Sequence, residues 1–256
     1  MTELHERFWE IDLLRGIAII MMVGFHLLYD INYLGAYDIN LTSGPGFMAG
    51  KLSAILFVMI AGISLSLSYS RKRKIYDPES GFLKYTKRGL KIFLWGMVIT
   101  AGSYIFLRDG VIVFGILHFI GIAIILAYPF LRYKAANLML AIPVIVIGSW
   151  MQTFAIGGTW LFWTGLRPDG FHSYDYFPLF PWFGVLLLGI FLGNSLYPNY
   201  NRAPLISRMP NISDLLPVKT LCYMGKRSLL IYLLHQPLLV ILLYVAGITD
   251  LNQLYP

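Results

Sequence analysis

Four side chains that are costly in hydrocarbon, Asp12, Arg15, His26 and Asp30, lie within one apolar stretch, Ile11–Leu34, read IDLLRGIAIIMMVGFHLLYDINYL. On an α-helix, at about 100° per residue, Asp12 and Asp30 fall at the same angle, with Arg15 about 60° to one side. His26 and Tyr33 lie between about 40° and 60° on that same side. Ionisable groups inside a membrane are expensive, so they face a bundle interior or a watery cavity and mark function. This stripe therefore reads as the lining of an active site. His26 followed by Asp30 at i+4 suits a general base, the carboxylate holding the imidazole in one tautomer and stabilising its charged form. Arg15 has two readings: an ion pair with Asp12 at i−3, or a site for a phosphate-bearing cosubstrate arriving from the cytosol.

Other candidates lie further along the chain. His118 is expected at an outer depth similar to that of His26. Ser228, Tyr232 and His235 follow i, i+4, i+7 spacing and share one helix face. Arg167, Asp169, His172 and Asp175 stand in a segment rich in Gly, Trp, Phe and Tyr. That segment reads either as an aromatic belt at the outer leaflet or as a lid and acceptor site beside the outer mouth. Aromatic rings next to carboxylates suit a sugar-like acceptor.

These residues need a scaffold, and composition says which kind. The chain has 256 residues, 57% hydrophobic and 13% charged, and its mean hydropathy is +0.67. Soluble domains carry about 25% charged residues. An all-α, polytopic integral-membrane bundle follows, as a single domain over 1–256. With about 20 apolar residues per crossing, spans fall near 11–34, 51–70, 90–107, 111–131, 135–154, 180–197 and 228–248. That makes seven transmembrane helices, and the segment 155–179 allows an eighth, re-entrant or interfacial piece.

Lysine and arginine set the orientation. Seventeen of the 20 fall on one side if the N-terminus is cytoplasmic, with only Lys51, Arg108 and Arg167 on the other. This topology accounts for the net charge of +7. The basic segment 71–88, RKRKIYDPESGFLKYTKR, reads as a solvated or lipid-facing cytoplasmic loop in contact with anionic membrane lipids, not as a nucleic-acid surface. Glu3, Glu6 and Glu10 stand where a cleavable signal would be basic, so the first helix is expected to persist as a span. The lone cysteine, Cys222, allows no intramolecular disulfide and reads as a small buried side chain. No metal is expected.

Topology gives the stripe a direction. Arg15 lies toward the cytosol and His26 toward the outside, about 16 Å apart along the helix axis. Arg15, ten residues and then His26, after an Asp-x-x-Arg-Gly phrase, resembles the motif of the type-three integral-membrane acyltransferases. Across more of the chain the sequence is similar to bacterial and archaeal relatives of heparan-α-glucosaminide N-acetyltransferase. The phrases that carry this resemblance are IDLLRGIAIIMMVGFHLLYD (11–30), LFVMIAGIS (56–64), FGILHFIGIA (114–123), DYFPLFPWFGVLLLGI (175–190) and GKRSLLIYLLHQPLL (225–239).

The resemblance implies transfer of an acyl group, usually acetyl, from cytosolic acetyl-CoA to an acceptor at or beyond the cell membrane. It implies a CoA-accepting tunnel, a histidine that activates the acceptor or carries the acyl group, and a homodimer. Arg15 and His26 match its motif, and His118 and His235 fall in its phrases. His26, Asp30 and His118 are then the catalytic candidates, Arg15, Tyr232 and His235 the cosubstrate-binding ones, and Asp169, His172 and Asp175 the acceptor-binding ones. Tyr29, Tyr33 and His118 are available as oxyanion donors. The chain departs from the lysosomal enzyme, whose catalytic histidine lies in the first outer loop. No histidine occurs here between Asp30 and Lys51.

Two other classes compete. A haem protein would use His26 and His118 as axial ligands. A small transporter or flippase would use Arg15, His26 and Asp30 as a substrate or proton path.

Overall fold

In hydrocarbon every backbone N–H and C=O must find its partner within the segment, so long apolar runs become helices. The computed structural model, which describes residues 7–33, 43–75, 81–106, 110–158 and 160–248, follows that rule. Its helices are α1 (Trp9–Tyr33), α2 (Gly44–Ile75), α3 (Gly81–Phe106), α4 (Ile116–Ala127), α5 (Ala135–Met151), α6 (Leu179–Leu196), α7 (Pro204–Ser207), α8 (Leu216–Lys226) and α9 (Ser228–Val245). Five of them, α1, α2, α3, α6 and α9, are long and apolar enough to cross a membrane. The fourth and fifth expected spans correspond to shorter apolar helices, Ile116–Phe130 and Ala135–Met151. The fold is all-α and polytopic.

Three expectations need correction. The basic segment 71–88 is not a loop throughout: α2 continues to Ile75 and α3 begins at Gly81, so most of its lysines and arginines ride on helix ends. Basic residues have good helix propensity, and nothing between Arg71 and Ile75 breaks the run. The segment 155–179 holds no eighth helix among the described residues. It contains a 3₁₀ turn, Phe162–Thr164, and two two-residue strands, Ala155–Ile156 and Arg167–Pro168, paired in parallel. Finally, the 198–227 connection contains an unanticipated helix, α8, too short to span but essential to the site.

The chain falls into two compact units, Met1–Ile60 with Pro210–Pro256, and Ala61–Met209. In the first, α1 packs along α8 and α9. Ser53 on α2 donates to the Ala18 carbonyl of α1 at 2.9 Å. In the second, α3 packs on α4 and α5 on α6. Gly89 and Gly121 make the α3–α4 approach close: a Cβ on Gly89 would lie 2.5 Å from the Gly121 carbonyl oxygen. Small residues that let backbones approach are how helices associate where lipid removes the hydrophobic driving force. Phe119, Ile124, Leu186, Leu187 and Ile190 are buried in this unit. Asn194 closes its turn after α4, donating to the carbonyls of Leu131 and Tyr133 and accepting from Ser66.

Candidate functional site

Two glycines bring the histidines of the first unit to one level. A Cβ on Gly225 of α8 would lie 1.9 Å from the Asp12 carbonyl oxygen of α1, and one on Gly16 would lie 2.1 Å from that of Leu221. The two backbones therefore touch where only hydrogen fits. Arg227 makes a slight break between α8 and α9, yet the Ile231 N–H still bonds the Arg227 carbonyl at 3.0 Å. His26 lies ten residues beyond Gly16, and His235 ten beyond Gly225. Equal rises along neighbouring helices bring the two rings together, with centroids 4.9 Å apart and planes at 74°.

Each ring is oriented by its own helix. His26 Nδ1 is 2.9 Å from the Met22 carbonyl, and His235 Nδ1 is 2.6 Å from that of Tyr232. A carbonyl only accepts, so both Nδ1 atoms carry hydrogen and both Nε2 atoms hold the lone pair in the neutral ring. Two acceptor nitrogens on touching imidazoles are a base, or a nucleophile, waiting for a proton or an acyl carbon. Phe25 packs edge-on against His26 at 5.7 Å, and Tyr232 lies 5.5 Å from His235. Tyr29 and Tyr33 stack at 6.3 Å one and two turns further along α1.

Asp30 does not hold His26 in its tautomer, contrary to the i+4 reading. The Met22 carbonyl has a second lone pair within the same helix and takes the ring N–H. Asp30 instead accepts at Oδ1 from Gln236 Nε2 of α9, at 2.8 Å. Gln236 was not anticipated. Its signal is a polar amide inside an apolar helix, beside His235 and before Pro237, which cannot donate to the Leu233 carbonyl.

Arg15 lies at the other end of the stripe. Its Nη1 is 2.9 Å from Asp12 Oδ1 and 3.5 Å from the Gly225 carbonyl, so the ion pair also seals the α1–α8 crossing. Nearby on α8 and at the start of α9, Lys226 and Arg227 are exposed.

The second unit holds His118 in a different situation. It is 2% exposed and sits in the first turn of α4, where Nδ1 accepts from the Gly115 N–H at 3.2 Å. Nε2 therefore carries hydrogen, and it lies 3.2 Å from Thr100 Oγ1, whose own proton goes to the Ile112 carbonyl. Both ring nitrogens are engaged, and Phe93 and Phe114 enclose the ring. Neither nitrogen is left to ligate a haem iron or to take a proton.

Asp175 is found beside it. Its Oδ2 accepts from the Ile116 N–H at 3.1 Å and so caps α4 across the connection between α5 and α6. Replacing Asp175 with Ala is expected to lower stability by about 0.5–2 kcal/mol, with Asn restoring most of the loss. Thermal unfolding of the two variants checks this, since a role confined to substrate charge would leave stability unmoved. Asp169 and His172 are exposed, and Arg167 donates to the Gln152 carbonyl. Tyr176 of the same segment donates to the Phe162 carbonyl at 2.6 Å. Its burial pushes the phenol up to about 12, against the opposing pull of Arg167.

Neither the curated proteins nor the solved structures compared with the chain gave a match. The family model described as heparan-alpha-glucosaminide N-acetyltransferase, catalytic, matches residues 7–237. That stretch runs from the start of α1 through His235 and Gln236. The chain therefore belongs to this family of membrane N-acetyltransferases, and the expectation drawn from its motifs holds.

Proposed function

We propose that the protein moves an acetyl group from cytosolic acetyl-CoA to an amine or hydroxyl acceptor at the extracytoplasmic side of the cell membrane. The observation that carries this reading is the contact between His26 and His235, each with its Nδ1–H tied to a backbone carbonyl and its Nε2 lone pair free. A thioester is already activated, so the protein's task is to supply a positioned base. His26 Nε2 takes the proton of the attacking acceptor atom as that atom bonds to the acetyl carbon. The C–S bond breaks, and the imidazolium returns the proton to the departing CoA thiolate. The same free Nε2 would also allow His26 to carry the acetyl group itself.

His235 and Tyr232 touch the reacting end, so we assign them there and not to the grip on CoA. Arg15, Lys226 and Arg227 are the groups suited to CoA phosphates. The rise of about 16 Å from Arg15 to His26 suits a cosubstrate threaded from the cytosol. His118 and Asp175, whose polar atoms serve the first turn of α4, are assigned to holding that turn. Asp169 and His172, exposed in the connection between α5 and α6, are assigned to the outer side, where an acceptor arrives.

The test is release of free CoA thiol from acetyl-CoA by the purified protein, followed with and without candidate acceptors. Acceptor-dependent release is the expected result. A transporter would release none, and its absence with every amine and hydroxyl acceptor class would sink the proposal.

A further inference from the structure

An acetyl group under attack needs more than a base. As the attacking atom bonds to the carbonyl carbon, the C=O π pair moves onto oxygen, and donors already aimed at that oxygen lower the barrier. The histidine pair does not supply them. Both Nδ1–H groups are engaged by the carbonyls of Met22 and Tyr232, which leaves both neutral Nε2 atoms as acceptors. His118 is consumed by Gly115 and Thr100.

Gln236 has the donor that the pair lacks. It follows His235 on α9, and its Nε2 donates at 2.8 Å to Oδ1 of Asp30, one turn of α1 beyond His26. A primary amide has two N–H donors diverging in one plane. The bond to Asp30 uses one, and the second has no partner among the described residues. Asp30 also dictates which end of the amide faces it, because a carboxylate only accepts. With Asp30 7% exposed, solvent does little to relax that orientation. The arrangement is costly: Gln236 Oε1 and Asp30 Oδ2 are buried and unpartnered among the described residues. A leucine in this apolar helix would avoid the cost. The amide keeps its N–H groups in place at the expense of its oxygen.

We infer that Gln236 is a catalytic residue whose second Nε2–H donates to the carbonyl oxygen of the acetyl group, with Asp30 as the positioning residue that fixes the amide. The inference rests on the acetyl-transfer reading of this site and deepens it by naming the oxyanion donor. The placement agrees with entry from the cytosol. A cosubstrate threaded past Arg15 brings its acetyl end to the histidines first, and Asp30 holds the amide one turn further on. In the step, the acceptor atom bonds to the carbonyl carbon, the π pair moves to oxygen, and the Gln236 N–H holds that oxygen. His26 Nε2 takes the acceptor's proton. The C=O bond then re-forms as the C–S bond breaks, and the imidazolium passes the proton to the CoA thiolate.

Two variants test this in the full chain in lipid nanodiscs. Gln236→Leu removes the amide, and Gln236→Glu keeps its shape without an N–H; the second keeps a readout if the first does not fold. Each is expected to lower kcat for acceptor-dependent thiol release by about 10²- to 10³-fold, the range for loss of one such donor. The KM for acetyl-CoA should stay nearly unchanged. Infrared difference spectra of bound acetyl-CoA, isotopically labelled at the carbonyl carbon, add a readout that a merely bracing residue would not move. The thioester C=O stretch is expected at lower wavenumber on wild-type protein than in solution, and near its solution value on both variants. Asp30→Asn lets the amide turn over and should lose part of both effects. Near wild-type kcat in Gln236→Leu or Gln236→Glu, or a stretch lowered equally in wild type and variants, overturns the inference and leaves acetyl transfer in place. No thiol release from the wild type to any acceptor overturns both.

Discussion

His26→Ala is expected to lower acceptor-dependent release of CoA thiol by on the order of 10²- to 10⁴-fold, the range that a positioned proton acceptor contributes. Folding should change little. The His26 ring is half-buried, and its hydrogen bond stays within α1, to the Met22 carbonyl. The side chain thus braces no other element except through its ring contacts with Phe25 and His235. His26→Gln refills most of the space but replaces the ring nitrogen with an amide that is not a base, so it should be as inactive as the alanine variant. Steady-state kinetics on both, with thermal unfolding in parallel, checks the assignment. Recovery of near wild-type turnover in either would remove His26 from the chemistry.

The second large effect lies far from any reacting atom. Gly225→Ala would set a methyl 1.9 Å from the Asp12 carbonyl oxygen, and Gly16→Ala one 2.1 Å from the Leu221 carbonyl. Neither obstacle is a flexible side chain; both are backbone, so the helices must part. Overpacking of this kind costs typically about 1–3 kcal/mol, and here it also shifts α9 relative to α1. His235 would leave His26, and transfer would fall in the protein that still folds. Gly24→Ala is the control, because a Cβ there meets nothing within 4 Å. Alanine also favours helix over glycine by about 1 kcal/mol. The expected pattern is loss of both stability and turnover for Gly225→Ala and Gly16→Ala, with Gly24→Ala at least as stable as wild type.

The polar stripe of α1 is legible from residue types because hydrocarbon penalises each of them, so their alignment carries meaning without any structure. The helical class and the placing of the apolar spans are legible for the same reason. What was not legible depended on partners distant in the chain. Asp175 caps Ile116 across 59 positions, a bond that no local spacing announces. His118 resembles His26 as a lone histidine in an apolar helix, yet Gly115 and Thr100 consume both its nitrogens. Gln236 was not legible because an amide carries no charge to set it apart, although at i+4 from Tyr232 it shares the Ser228, Tyr232, His235 face. The meeting of His235 with His26 depended on α8, too short to count as a span and recognisable only once Gly225 is seen against Asp12. Sequence alone thus marked the histidine on α1, while packing supplied its partner on α9.

The most direct measurement is a structure of the full chain with a non-hydrolysable acetyl-CoA analogue bound. The acyl carbon is expected within about 3.5 Å of His26 Nε2, a separation from which reaction can proceed, with the phosphates toward Arg15, Lys226 and Arg227. An analogue whose acyl end lies beside His118, or whose phosphates occupy the outer side with Asp169 and His172, would contradict the assignment of His26 and the direction of transfer together.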